Sequence, residues 1–559
     1  MVNVGIRIQH NARVKPRLGA AAAVLVALTM FHTWPLPAAP ARHSLNYNAD
    51  AELTAWTVSW IAHALPTQPR RLFAGNIFQP DTRALAYSEP LFVEGLAGAP
   101  VRWLGGSAVL TFNLLLIAGL AATAVAGWWL VVRWTGSFAA GLVGGALVAF
   151  NVHLLTRLPH LQAAHAWGLV AVILLADRVA VDRQAGGAPL PACRPVIDRS
   201  TVLLAIMLAS VAMTSVYWLL FAAVVVVLIA CGAVRSVRGA GRLAAASALG
   251  GVLAFPILLP YMRLGAEGVR RPLELAAQFS ATLTGYLVTT SRLHASWGRH
   301  FFTGDVNVFF PGVCAIVLAV VGLRDAVRSG GDARRRALTL AALAVVGVVL
   351  SLGPATPIYG VLYRLLVPLQ GIRAASRFGF LFLIAIAFLA GFGVAAIERR
   401  LRSRAAAVAF GVLALAAVTA EAWQGPVRTI PFTGIPPIYG ALRDVQTPVL
   451  LAEMPFWPAQ MLFENGEYVL NATGYWIPIA NGYAGYTPDA YRRRADAFWF
   501  FPEERAFYAM KNEGITHVMV HLERIPSEAD GVLRAIALRK DIELLASDDE
   551  GHRLYRLIY

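Results

Sequence analysis

Charge is scarce in this sequence. Charged residues make up 14% of the 559 residues and apolar residues 57%, whereas a soluble globular chain carries roughly 25% charged residues. This balance excludes an ordinary soluble domain and places the chain in a lipid bilayer. The formal net charge of +16 does not indicate nucleic-acid binding, because the arginines form short clusters between apolar runs rather than one continuous stripe.

Cysteine is rare, and ionisable groups are nearly missing from the interiors of the apolar runs. Cys193 lies in a polar loop, Cys231 and Cys314 lie in or beside apolar runs, and there is no CxxC spacing. We therefore assign the cysteines no redox or metal role. Ion-coupled transporters place charges at mid-membrane depth, so their scarcity here counts against a proton or sodium transporter.

Apolar runs that can cross a bilayer recur along the chain, and we predict about eleven transmembrane helices. They lie near residues 18–34, 106–132, 137–152, 161–177, 200–214, 216–233, 243–262, 307–323, 337–352, 377–397 and 405–422. Residues 200–234 are read as two crossings with a turn near Ser215, because arginine clusters flank both ends. The first run is followed by Ala39-Pro40-Ala41, which resembles a signal-peptidase site; an uncleaved anchor is favoured because many membrane helices follow.

The arginine clusters give the orientation. Those within 178–199, 235–242, 324–336 and 399–404 fall on one side of the predicted spans, which is cytoplasmic by the positive-inside rule. The N-terminus is then cytoplasmic, and the loops at 38–105, 263–306 and 353–376 are extracytoplasmic together with the tail. The predicted fold is an all-α polytopic membrane bundle, residues 1–423, followed by a small extracytoplasmic α/β domain, residues 424–559.

Both soluble parts have recognisable elements. In the first outer loop, residues 50–64 predict an aromatic helix that ends near Pro66 and lies in the membrane interface, and residues 83–104 predict a second helix interrupted by Pro90 and Pro100. In the tail, the patterns predict strands at 449–453 and 517–522, a helix around 534–539, and a hairpin of 542–546 with 553–558.

Polar residues concentrate in the outer loops, so any chemistry is expected at the outer leaflet. The leading candidate is Asn48-Ala49-Asp50-Ala51-Glu52, at the start of the first loop helix. Two acids two residues apart point to different faces of a helix. Asp50 lies in the first turn, where the helix dipole favours the ionised form, which suits a base. The alternative is that Asp50 and Glu52 only stabilise the helix start.

Several motifs resemble bacterial membrane glycosyltransferases of the GT-C superfamily. Besides the acid after the first span, these are Leu72-Phe73-Ala74-Gly75-Asn76-Ile77-Phe78-Gln79-Pro80, Leu85-Ala86-Tyr87-Ser88-Glu89, Arg373-Ala374-Ala375-Ser376-Arg377-Phe378 and Asn481-Gly482-Tyr483-Ala484-Gly485-Tyr486-Thr487-Pro488. The resemblance covers nearly the whole chain and identifies a superfamily more firmly than a substrate.

The resemblance implies transfer of a sugar from a polyprenyl-phosphate carrier to a glycan, lipid or protein acceptor outside the cytoplasmic membrane. It implies that Asp50 is the catalytic acidic residue of the first outer loop, acting as a base, with Glu52 or Glu89 as support. Many relatives have paired acids at the first helix, whereas here Glu52 stands one residue out of step with Asp50. The role of Asp50, and whether a divalent metal takes part, stays open at this point.

Binding residues are sought among cations and aromatics. Arg373 and Arg377 suit the carrier phosphate, because the arginine fork can hold two phosphate oxygens; the alternative is a headgroup anchor. The remaining candidates are Arg70 and Arg71 for phosphate or lipid headgroups, Trp56 for a sugar face or simple interface packing, and His165, with His153 and His160 nearby, for phosphate. No histidine spacing is as specific as HExxH, so no metal ligands are assigned.

Two other functions remain open from the sequence alone. One is a non-catalytic membrane assembly protein, and the other is a lipid or polysaccharide transporter. The expected partners of the favoured function are the sugar-loaded polyprenyl phosphate, membrane lipids and the acceptor, and not nucleic acid.

Overall fold

The computed structural model describes residues 2–181, 196–301, 307–443, 445 and 448–559. Cys193 and part of the arginine cluster within 178–199 lie outside the described residues. Most of the described chain is helical. The α-helices are α1 (Val2–His32), α2 (Ala49–Thr67), α3 (Phe92–Trp103), α4 (Ala108–Thr135), α5 (Phe138–Ala149), α6 (Val152–Leu155), α7 (Leu161–Ala164), α8 (Trp167–Ala180), α9 (Arg199–Thr214), α10 (Val216–Ala233), α11 (Val237–Ala266), α12 (Leu273–Gln278), α13 (Ala295–Gly298), α14 (Val313–Ser329), α15 (Gly331–Ser351), α16 (Pro357–Leu365), α17 (Gly379–Glu398), α18 (Arg404–Ala422), α19 (Gly466–Tyr475), α20 (Asp489–Phe498), α21 (Glu504–Asn512) and α22 (Ala529–Ala537).

The helices agree in position with the predicted spans. Within the described residues, α4, α10, α11, α17 with its preceding turn, and α18 are long and apolar enough to cross a membrane. These helices make the chain a multi-pass membrane protein. A helix also lies in each of the other predicted segments. The total of about eleven spans stays a prediction. The segment at 161–177 is interrupted, because α7 ends at Ala164 and α8 begins only at Trp167.

Polar caps explain several helix boundaries. Ser215 separates α9 from α10, and its side chain accepts a hydrogen bond from the backbone N–H of Tyr217. The predicted break at this position is therefore confirmed, and the two crossings stay a prediction. Asp198 caps α9 and Ser403 caps α18 in the same manner, so donors at helix starts that would otherwise lack a partner are satisfied.

Two compact units divide the chain. Unit 1 comprises Met1–Ala38 and Leu116–Arg428, and unit 2 comprises Ala39–Leu115 and Thr429–Tyr559. In unit 1, α14 packs closely on α17: a Cβ at Gly322 would overlap the carbonyl oxygen of Leu389, and one at Gly393 would overlap that of Leu318. Small residues of this kind let membrane helices approach backbone to backbone.

Unit 2 combines α2, α3 and α19–α22 with two small sheets. The strands are β1 (His43–Ser44), β2 (Ile430–Pro431), β3 (Leu451–Met454), β4 (His517–His521), β5 (Ile542–Ser547) and β6 (His552–Leu557). β1 pairs with β2, and the larger sheet has the order β3-β4-β6-β5. β3 and β4 are parallel and the other neighbours antiparallel, so the predicted strands and hairpin are confirmed.

The first loop differs from its prediction in the setting of its first helix. By contacts the loop groups with the tail in unit 2. Its first helix, α2, is buried throughout residues 51–62, where α3 and α19 pack against it. A helix lying in the membrane interface keeps one polar face in water, so α2 is instead a core helix of unit 2.

Candidate active site

The site in unit 2 begins with the cap of α2. Asn48 has an extended backbone, and its side-chain oxygen accepts a hydrogen bond of 2.9 Å from the backbone N–H of Asp50. This cap fixes the start of the helix and places Asp50 in the first turn, as the sequence predicts. Asp50 is half-buried.

Asp50 contacts the tail. The hydroxyl of Tyr483 donates a hydrogen bond of 2.9 Å to Asp50 Oδ1, and Tyr483 is itself half-buried. A bond to an ionised acceptor is stronger than one between neutral groups. It fixes the orientation of this carboxylate.

Backbone hydrogen bonds between the motif at 72–80 and the tail segment at 479–481 hold Tyr483 in place. The N–H of Phe78 donates to the carbonyl of Asn481 at 2.8 Å, and the N–H of Gln79 donates to the carbonyl of Ile479 at 3.0 Å. Gly482 lies against the Phe78 ring, where a Cβ would come within 2.6 Å of ring carbons. The close approach therefore requires glycine at this position.

The tail motif is anchored on its other side by a buried amide. Asn481 is fully buried. Its side chain accepts from the N–H of Glu453 at 2.8 Å and donates to the carbonyl of Glu453 at 3.0 Å and to Asn465 Oδ1 at 3.1 Å. The motif at 85–89 also contacts the tail motif, since the N–H of Tyr486 donates to the carbonyl of Tyr87 at 2.9 Å. Three motifs separated in sequence therefore form one structure around Asp50.

Glu52 has different surroundings from Asp50. Its side chain is 7% exposed, and a Cβ on Gly466, the first residue of α19, would overlap its Oε2. Burial, together with the negative charges of Glu467 and Glu464, raises the pKa of Glu52 to about 8 against the opposing positive charge of Arg524. Glu52 is therefore protonated at neutral pH and does not suit the role of a base.

The other predicted residues of unit 2 lie in three settings. Glu89 is half-buried shortly after the turn Ala84–Tyr87. Arg70 and Arg71 are exposed in the short turn after α2. Trp56 is 1% exposed and donates from Nε1 to Asn76 Oδ1 at 2.9 Å. Trp56 is a core residue whose ring is covered, so it packs inside unit 2 and presents no face for a sugar to stack on.

A second group of candidates lies in unit 1, around a small basic cavity. A cavity of about 50 Å³ is lined by Arg157, His160, Arg377, Tyr217 and Trp218 among others, and none of its lining residues is acidic. The Arg377 guanidinium lies 4.3 Å from the centre of the Tyr217 ring. The Tyr217 hydroxyl in turn accepts from the N–H of Ala374 at 3.0 Å, which fixes the ring beneath the arginine.

His153 also lines this cavity, in the short helix α6. Burial lowers the pKa of His153 well below its ordinary value, and the positive charges of Arg157 and Arg377 lower it further. Its ring stacks on Phe309 at 4.7 Å. His153 is thus neutral, and the positive charge of the cavity comes from the arginines.

Two predicted binding residues do not line this cavity. Arg373 is half-buried with its guanidinium 5.3 Å from the centre of the Phe279 ring. His165 is 9% exposed, accepts from Trp167 Nε1 at 3.2 Å, and packs against Gly119, where a Cβ would come within 2.6 Å of its ring. His160 and Arg157 line the cavity instead, and the phosphate role predicted for His165 stays a prediction. Arg157 was missed because a single arginine after a span is ordinary in membrane proteins.

No protein-family model and no curated protein matches the sequence. Solved structures do match. The arabinofuranosyltransferase AftD from Mycobacteria matches 97% of the chain with a TM-score of 0.57 and 17% identity, and a mutant of AftD matches with a TM-score of 0.61 and 18% identity over the same share. The chain spans about two fifths of the length of AftD, 40% and 41% of the two structures.

A more distant likeness is ArnT from Cupriavidus metallidurans, solved with undecaprenyl phosphate. Its TM-score is 0.45 at 14% identity, covering 96% of this chain and 97% of ArnT. The likeness to AftD shows that the chain shares its fold, and as far as the fold goes the predicted resemblance is confirmed.

Proposed function

We propose that this chain is a membrane glycosyltransferase that moves a sugar from a polyprenyl-phosphate carrier to an acceptor at the outer face of the cytoplasmic membrane. One observation carries the proposal: Tyr483 of the tail motif holds the carboxylate of Asp50 through a bond of 2.9 Å. A first-turn acid that only stabilised its helix would not require this partner. The shared fold with AftD, which is named as an arabinofuranosyltransferase, supports the same class of reaction.

The proposed chemistry assigns one task to Asp50. Its carboxylate accepts the proton of an acceptor hydroxyl while that oxygen attacks C1 of the sugar. The bond between C1 and the phosphate oxygen breaks, and its electron pair stays on the phosphate. The products are the new glycosidic bond and the free polyprenyl phosphate. General-base assistance of this kind is typically worth about 10² to 10⁴-fold.

The leaving phosphate needs positive charge, and we assign that task to Arg377 and Arg157. Both line the basic cavity of unit 1, and arginine can hold two phosphate oxygens with its planar fork. Glu89 is the proposed supporting acid, because protonated Glu52 does not fit that role. Arg70, Arg71 and Arg373 are proposed contacts for lipid headgroups or phosphate.

The proposed topology follows the sequence. The arginine clusters orient the N-terminus toward the cytoplasm. With an odd number of spans, about eleven, unit 2 with Asp50 then lies on the extracytoplasmic side. The acceptor reaches Asp50 from that side.

Sugar transfer by membranes containing the full chain tests the proposal. Labelled polyprenyl-phosphate arabinofuranose is offered first because of the likeness to AftD, and other pentose and hexose donors follow. Asp50→Asn keeps the size of the side chain and removes the base, so transfer should fall by about 100-fold or more. Asp489→Asn, at a tail acid that is 79% exposed, should leave transfer unchanged.

Two results would overturn parts of this assignment. Full transfer by Asp50→Asn removes Asp50 from the mechanism. If the folded wild-type chain transfers no sugar from any donor in the panel, the non-catalytic assembly protein is favoured instead. Movement of an intact lipid-linked sugar across vesicles without transfer would favour the transporter.

A further inference from the structure

Two histidines face each other at one end of the larger sheet in unit 2, at a distance in sequence from the proposed catalytic residues. His521 is the last residue of β4 and His552 the first residue of β6, and the antiparallel register pairs them directly. Opposite residues of an antiparallel pair project from the same face of the sheet. Their ring centres lie 5.0 Å apart.

A carboxylate joins the histidines from the turn after β4. Glu523 Oε1 lies 3.3 Å from His521 Nδ1 and 3.7 Å from His552 Nε2. The three atoms all lie within 4.8 Å of one another. Ligands about 2.1 Å from a tetrahedral zinc ion are roughly 3.4 Å apart, so two edges of this triangle already have the spacing of a metal site.

A second carboxylate orients each histidine from behind. Glu453 Oε2 lies 2.7 Å from His521 Nε2, and Asp548 Oδ2 lies 2.6 Å from His552 Nδ1. When each imidazole is neutral and its proton lies on the nitrogen that bonds the acid, His521 Nδ1 and His552 Nε2 are the nitrogens left to bind a cation near Glu523. Carboxylate–histidine pairs of this kind are the usual second layer around protein-bound zinc.

The evidence for a ligand is the buried Nδ1 atom of His521, which lacks a hydrogen-bond partner among the described residues. The side chain of His521 is 1% exposed, and its Nδ1 makes no hydrogen bond within the described chain, although Glu523 Oε1 is 3.3 Å away and out of line. A buried nitrogen lone pair next to a carboxylate oxygen is unfavourable unless a proton or a metal cation lies between the two atoms.

We propose that His521, Glu523 and His552 bind a divalent transition-metal cation of the zinc type. Two imidazoles and one carboxylate suit Zn²⁺, whereas Ca²⁺ and Mg²⁺ prefer oxygen ligands alone. Glu523 is 38% exposed, which gives the ion a path from solvent. The bound ion joins the ends of β4 and β6 to the following turn. The competing occupant is a proton, which would make His521 a charged partner of Glu453 and Glu523.

Metal content of the purified full chain is the primary test. The protein in detergent is loaded with Zn²⁺, dialysed against a weak chelator, and analysed for zinc by mass spectrometry. The wild type should retain one zinc per chain, and Glu523→Gln and His552→Gln should retain less than about a tenth of that. His517→Gln, at a buried histidine of the same strand, should retain the full amount, as should Asp50→Asn.

Cobalt and a second-layer variant provide independent readouts. Co²⁺ in place of Zn²⁺ should give visible absorption bands typical of a four-coordinate site, and His552→Gln should abolish them. Asp548→Asn should weaken Zn²⁺ binding by about 10 to 100-fold, the usual cost of losing a carboxylate behind a ligand. Size-exclusion profiles identify variants that fail to fold. If His552→Gln fails to fold, Glu523→Gln is used in its place, because Glu523 is partly exposed.

Two outcomes would overturn the proposal. A folded wild-type chain that retains no stoichiometric zinc and gives no cobalt bands leaves the proton as the occupant. Zinc that persists unchanged in both Glu523→Gln and His552→Gln belongs to another site.

Discussion

Tyr483 and Asp50 are joined by a hydrogen bond of 2.9 Å although 433 residues separate them in sequence. One belongs to the tail and the other to the first turn of α2. Because the tail fixes the carboxylate that we propose as the base, the two ends of unit 2 are expected to act together in catalysis.

Loss of the Tyr483 hydroxyl should slow sugar transfer. Tyr483→Phe keeps the ring and removes a hydrogen bond to an ionised group, typically worth about 1.5–3 kcal/mol. Since about 1.4 kcal/mol corresponds to tenfold in rate, initial rates with labelled donor should fall by roughly tenfold or more. Tyr508→Phe, at a tyrosine that is 70% exposed, is the matched control. Equal rates for the two variants would show that this bond does not position the base.

Glu52 should make unit 2 less stable as the pH rises. Burial first, and the charges of Glu467 and Glu464 next, raise its pKa from the usual 4.5 to about 8. Between these values the unfolded chain loses a proton that the folded chain keeps, so stability falls as pH increases from about 4.5 to about 8. Glu52→Gln resembles the protonated acid and should remove this fall.

Thermal unfolding in detergent between pH 5 and 9 measures the effect. The wild-type midpoint should decrease across the range more than that of Glu52→Gln, and Glu504→Gln, an exposed acid of α21, should follow the wild type. Parallel curves for wild type and Glu52→Gln would contradict a protonated Glu52.

A methyl group at residue 466 should disturb the start of α19. The Cβ of Gly466→Ala would overlap Glu52 Oε2 and come within 2.9 Å of the Ala49 Cβ, and overpacking typically costs about 1–3 kcal/mol. Gly531→Ala is the control, since no atom lies within 4 Å of the added Cβ and alanine favours the helix there. The unfolding midpoint should fall only for Gly466→Ala; a midpoint that is unchanged would mean that Glu52 moves aside at no cost.

Arg157 and Arg377 should act as one phosphate site. Arg377→Lys keeps the charge but loses the planar fork, so the KM for the polyprenyl donor should rise, while Arg364→Lys, at an exposed arginine of α16, should not change it. The double variant with Arg157→Ala and Arg377→Ala should lose an amount of donor-binding free energy that differs from the sum of the two single losses. Contacts to one ligand are coupled, so their free energies do not add. Strictly additive losses in a double-mutant cycle would assign the two arginines to separate ligands.

Local patterns predicted the helices and the tail strands. Apolar runs marked the membrane segments, and Ser215 marked the break between α9 and α10 because a serine cap is a short-range signal. The hairpin of β5 and β6 was predicted for the same reason, since both strands and their turn lie within a few residues.

Contacts between distant segments were not predictable in this way. The sequence predicts an interfacial helix at Glu52 and Trp56, because nothing near these residues in sequence indicates that α19 covers α2. The pairing of Phe78 with Asn481 and the opposition of His521 to His552 each depend on a register between segments far apart in the chain. Such registers leave no periodicity that a single sequence displays.

The interrupted make-up of unit 2 affects its biosynthesis. Its first part, residues 39–115, emerges from the ribosome well before its second, residues 429–559. Helix α2 packs against α3 within the first part, but the face that α19 covers stays uncovered until α19 is translated. Long-range closure of this kind is slow. A chain that stops before α19 is therefore expected to lose packing in the first loop as well as the tail.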